Sequence, residues 1–181
     1  METFINFTTP LFFVCIIYSL IVCYFALSKI KWAFPILLFW TTIQLFVTST
    51  GFYEETMVLP PRFLLLIGPN ALVILFLFFH KKGIEIRNKI DDEKFLWIHP
   101  VRILVELCLF GLFLQNAIPK LMTFEGTNLD ILIGISSLLV IYLVSKNKIK
   151  SSKYLLLWNY IGLIFLANIV ITAVLSAPTP F

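Results

Sequence analysis

His99, Arg102 and Glu106 stand at i, i+3 and i+7 of one run, so a helix through them carries an imidazole, a guanidinium and a carboxyl on a single face. Arg102 and Glu106, four apart, can neutralise each other within that helix and so lower the cost of burying either. The same trio can also do chemistry, with Glu106 handling a proton or orienting a substrate. A second set consists of amides. Gln44, Asn70, Asn116 and Asn168 come from four different apolar runs, and Gln115 adjoins one of them. Amides both donate and accept, so they can recognise a small polar solute or hydrogen-bond one helix to another.

Two further chemistries can be weighed from the same residues. His80 and His99 each border an apolar run, and paired histidines on neighbouring helices can hold a haem, or, with Glu106, a metal. Each ring lies beside Lys81 or near Trp97, where a polar ring is ordinary, and no closely spaced second pair exists; we expect neither haem nor metal. Nucleophilic catalysis has no Gly-x-Ser-x-Gly context to rest on. Ser136 and Ser137 follow Gly134 at a spacing that fits close helix packing, as do Gly111 and Gly162 elsewhere. Cys15, Cys23 and Cys108 lie inside apolar runs and behave as small hydrophobes.

The elements that must position these groups are membrane helices. Hydrophobic residues make up 60% of the 181 and charged residues 13%, with a mean hydropathy of +0.96, far from the balance of a soluble domain. The net charge of +4 does not point to nucleic acid, because the basic residues flank apolar runs. There they report topology and attraction to anionic lipid. A hydrocarbon core about 30 Å thick needs roughly 20 apolar residues per helix. Six runs approach that: 11–28, 33–53, 63–80, 103–122, 131–145 and 154–176. The fifth is short and reaches only by recruiting Asp130 or Lys146.

Charge then orients the chain. Of the 14 Lys and Arg residues, Lys29 and Lys31 fall in the first gap. Lys81, Lys82, Arg87, Lys89, Lys94 and Arg102 fall in the third, and Lys146, Lys148, Lys150 and Lys153 in the fifth. Arg62 and Lys120 stand alone in the second and fourth. The positive-inside rule puts gaps one, three and five in the cytoplasm and both ends of the chain outside. The expectation is a single integral domain of six helices in the cell membrane. Within the third gap, Phe95-Leu96-Trp97-Ile98 reads as a stretch lying along the interface.

On this topology Gln44, Asn70, Asn116 and Asn168 share a layer on the order of 10 Å below the outer surface, at a rise of about 1.5 Å per residue. Pro69 opens a turn of the third run and Gly68 leaves room for a neighbouring backbone. Pro60-Pro61-Arg62 and the segment holding Glu125, Asn128 and Asp130 lie above the layer. These features predict an outward-facing polar cleft with Arg62, Glu125, Asn128 and Asp130 at its mouth. The trio of His99, Arg102 and Glu106 is expected at the opposite, cytoplasmic boundary.

Several stretches carry a family resemblance: Phe39-Trp40-Thr41-Thr42-Ile43-Gln44, Gly51-Phe52-Tyr53 with Pro60-Pro61-Arg62, His99-x-Val101-Arg102-Ile103-x-Val105-Glu106, Met122-Thr123-Phe124-Glu125-Gly126-x-Asn128-x-Asp130, Trp158-Asn159 with Asn168-Ile169-Val170, and Leu175-Ser176-Ala177-Pro178. With them the chain resembles an uncharacterised family of small bacterial multi-pass membrane proteins, from about position 33 onward. The resemblance implies a polytopic helix bundle and brings no activity. The family pattern has Arg, Asn, Phe where this chain has Thr127-Asn128-Leu129, and continues into a seventh span beyond the Ser-Ala-Pro segment.

The all-α reading leaves three functions. A small polar solute binds in or passes through the outward cleft; or the helices pack against another membrane subunit as a scaffold; or His80, His99, Arg102 and Glu106 serve a redox or enzyme subunit.

Overall fold

The computed structural model describes residues 2–55, 62–146 and 152–176, with side chains from 7 in the first helix and from 153 in the last. Pro60 and Pro61, the basic residues Lys148 and Lys150, and the Pro-rich ending fall outside the described residues. Those described are helical, with turns between, and contain no strand. The helices are α1 (Glu2–Ala26), α2 (Ala33–Ser49), α3 (Leu64–Phe79), α4 (Lys81–Arg87), α5 (Asp92–Phe95), α6 (Val101–Leu114), α7 (Asp130–Ser145) and α8 (Ser152–Ser176).

Each of the six apolar runs contains a helix, but six crossings do not follow. Three stretches are long and apolar enough to cross a membrane: Phe7–Ala26, Asp92–Leu114 and Lys153–Ser176. A fourth is obtained only if α3 and α4 are taken together across their 93° bend, and α2 and α7 are shorter apolar helices. Phe95-Leu96-Trp97-Ile98 runs on into the next helix. Its short 3-10 turn leads through Pro100 into α6, so that Asp92–Leu114 forms one stretch of 23 residues.

The largest departure from expectation is the run 103–122, whose helix stops at Leu114. Asn116 adopts the left-handed conformation, φ 58°, which asparagine tolerates better than most residues with a β-carbon. Its N–H bonds to the Phe113 carbonyl at 2.8 Å and that of Ala117 to the Leu112 carbonyl at 3.0 Å. This pair of reversed bonds closes a helix end, and Pro119, extended at ψ 152°, follows it. Hydropathy runs through this stop; backbone conformation does not.

The chain divides into two compact units, one of Met1–Val22 with Glu93–Ser176 and one built on Cys23–Asp92. In the first, Leu11 and Cys15 of α1 pack on Cys108, with Val101, Leu104 and Val105 of α6 around them, and the Tyr18 hydroxyl donates to the Trp97 carbonyl at 2.7 Å. Small residues let these helices approach. A β-carbon on Gly134 would lie 2.7 Å from Ile103 Cγ1, one on Gly162 would lie 3.3 Å from Ile133 Cγ2, and one on Gly111 would press on the Thr8 hydroxyl. Gly68, by contrast, has nothing within 4 Å of a β-carbon, so the expected backbone approach there is absent, and α3 continues helical through Pro69.

Candidate functional site

The polar groups that converge lie in the first unit, and they join two sets that the sequence places on opposite sides. Arg102 of α6 does not pair with Glu106. Its guanidinium forms an ion pair with Asp130 and donates to the Gly162 carbonyl of α8 at 3.1 Å. Asn128 donates to Glu106 Oε1 and to the Met122 carbonyl. The Asn128 side-chain oxygen accepts the Asp130 N–H at 3.1 Å. Intrahelical pairing loses because Asp130, in the first turn of α7, offers Arg102 a carboxylate from another element.

This meeting requires the connection 115–129 to fold back along α6. It does so as a compact loop. The Gly126 N–H bonds to the Thr123 carbonyl at 2.9 Å, and the Thr123 hydroxyl donates to the Lys120 carbonyl at 2.9 Å. Gly126 lies against the Lys120 and Leu121 backbone so closely that a β-carbon would collide with it. The loop delivers Asn128 and Thr123 to fully buried positions, both 0% exposed, beside Glu106 at 1% and Asp130 at 5%. Gly134, one turn into α7, lies against Arg102 and Ile103, near the midpoint of Asp92–Leu114, so Asp130 starts α7 about one turn away and is reached by the long Arg102 side chain. Neither Glu125 nor Asn116 reaches this centre: Glu125 forms an exposed ion pair with Lys120 at 3.3 Å, and Asn116 is exposed at the turn.

Two buried polar atoms at the centre have no hydrogen-bond partner among the described residues: Glu106 Oε2 and His99 Nδ1. His99 meets Trp158 edge to face at 4.7 Å, and the Trp158 indole N–H donates to Ser136 at 3.0 Å. Gln115 and Asn168 act between elements of the same unit. Gln115 donates to the Thr8 hydroxyl at 3.1 Å and Asn168 to the Thr127 carbonyl at 3.0 Å. The sequence reading missed Thr123 and Trp158, and it missed the depth of Asn128. One signal was available: Asn128-Leu129-Asp130 ahead of an apolar run is a helix-start pattern in which the asparagine side chain turns back to the backbone.

The other predicted residues belong to the second unit. Gln44 accepts the Tyr53 hydroxyl at 2.6 Å, and Asn70 is exposed and donates to Leu66 of its own helix at 2.9 Å. The Arg62 guanidinium lies over the Phe52 ring at 4.8 Å. His80 stacks on Phe76 at 4.9 Å, and its Nδ1 accepts the Lys82 N–H at 3.2 Å. Among the described residues, no group of three or more His, Cys, Asp or Glu is placed to hold a metal. This unit contains an open pocket of about 530 Å³ lined by apolar side chains, among them Ile30, Trp32, Trp40, Phe76 and Ile90, with Asn70 at its wall.

Compared with protein-family models, curated proteins and solved structures, the chain finds no match.

Proposed function

We propose that the chain is an integral membrane protein that binds or passes a small polar solute, with Arg102, Glu106, Asn128 and Asp130 forming the binding centre. The observation that carries this reading is the unpartnered oxygen of Glu106, a residue 1% exposed, beside a fully bonded ion pair. Buried polar groups are almost always satisfied, and the exceptions mark function. Charged side chains within membrane spans likewise point to a solute or ion path. The irregular connection 115–129 also supports it, since breaks in helical backbone beside buried polar groups build solute sites. Non-helical backbone is tolerated there only under cover of protein or beside a water-filled space.

On this reading the basic gaps face the cytoplasm, the N-terminus and the end of α8 face outward, and the solute enters along the 115–129 connection past Gln115, Asn116 and Asn168. The outward cleft of the sequence reading is kept, but its floor is the charged centre. The test is thermal unfolding of the detergent-purified protein against a panel of amino acids, amines, sugars and nucleosides. We expect one class to raise the melting temperature of the wild type and to leave Asn128→Leu unmoved. A panel in which nothing shifts the wild type overturns the reading.

A further inference from the structure

We propose that Glu106 is a neutral, proton-carrying acid. This rests on the reading of its centre as the working site. Three ionisable side chains meet there, one guanidinium and two carboxyls. Arg102 is already committed to Asp130 and to the Gly162 carbonyl, so Glu106 receives only the neutral amide of Asn128 on one oxygen. An ionised carboxylate at 1% exposure with a bare second oxygen bears the desolvation of a full charge. The protonated acid bears only that of an unbonded hydroxyl, a much smaller penalty.

The groups facing Glu106 do not alter this balance. Its own stretch supplies Arg102 and His99, the connection Asn128, and α7 Asp130. Elsewhere around the centre the Cys15 thiol of α1 packs on Cys108, the Gly162 carbonyl of α8 accepts from Arg102, and Trp158 meets His99. Arg102 is the one permanent cation among them, and its charge is matched by Asp130. His99 Nδ1, the second unpartnered buried atom, lies on the same helical face on the far side of the ion pair.

The test is infrared spectroscopy of the full chain in lipid at neutral pH. The difference between wild type and Glu106→Gln should contain the C=O stretch of a protonated carboxyl, above the amide I band, and that stretch should move to lower frequency in D₂O. Loss of ionised-carboxylate bands instead, or a band that does not respond to D₂O, overturns the proposal. Should Glu106→Gln fail to fold, Asn128→Leu serves, because removing the hydrogen bond to Oε1 should raise the same stretch. Exchange of choline chloride for sodium chloride should leave the band in place; its disappearance would assign the site to sodium. The band reports the proton without any solute present, so it stands or falls apart from the solute panel.

Discussion

Two asparagines show how differently the two units use the same side chain. Asn128 is fully buried and bonds Glu106, Met122 and Asp130. Asn70 is exposed and, among the described residues, bonds its own helix. Asn70 comes from an apolar run and Asn128 from a polar connection, and the sequence reading sets one in the amide layer and the other at the cleft mouth above it. What separates them is backbone. The connection 115–129 leaves the helix and carries amide and carboxyl into the interior, whereas the α3 helix keeps Asn70 turned along its own wall. The first unit is organised around charge and the second around an apolar cavity, and polar residues matter energetically where irregular backbone brings partners to them.

Substitutions should grade accordingly. Asp130→Leu strands Arg102 without a counter-charge, and unfolding in detergent should show a loss of about 3–5 kcal/mol, with Arg102→Met/Asp130→Leu losing less than the single change. A single change no worse than a surface substitution would erase the contrast between the units. Gly134→Val forces a side chain against Ile103 and should lose about 1–3 kcal/mol in the same assay. In the second unit, Gln44→Leu removes the acceptor of the Tyr53 hydroxyl and should lose about 1 kcal/mol, which Tyr53→Phe should not deepen. Asn70→Leu should stay within about 0.5 kcal/mol; a large loss there would mean that the cavity wall depends on its one amide.

The helical content and the order of apolar runs were legible from composition and charge, because burial of long apolar stretches is a property of whole segments. The end of α6 was not. Leu114 to Met122 is apolar enough on average to extend a span, and only the left-handed Asn116 and the extended Pro119 stop it. The close contacts of Gly111, Gly134 and Gly162 were legible because small residues in membrane-type helices have few other uses, while Gly68 shows the same signal without a neighbour. Arg102 and Glu106 stand out in the sequence as ionisable residues in an apolar run, but the partners they meet in the structure, Asp130 and Asn128, are not encoded there. Asp130 and Asn128 reach them through a chain reversal that no periodicity encodes.

The separation of Arg102 from Asp130, 28 positions along the chain, also sets an order of events in biosynthesis. On the proposed membrane placement, the segment bearing Arg102 and Glu106 leaves the ribosome before its neutralising carboxylate has been made. Each charge at a helix centre opposes insertion by about 2.5–3.5 kcal/mol. That segment has reason to linger in the translocation machinery until Asn128 and Asp130 emerge, so that span, connection and α7 enter the bilayer together.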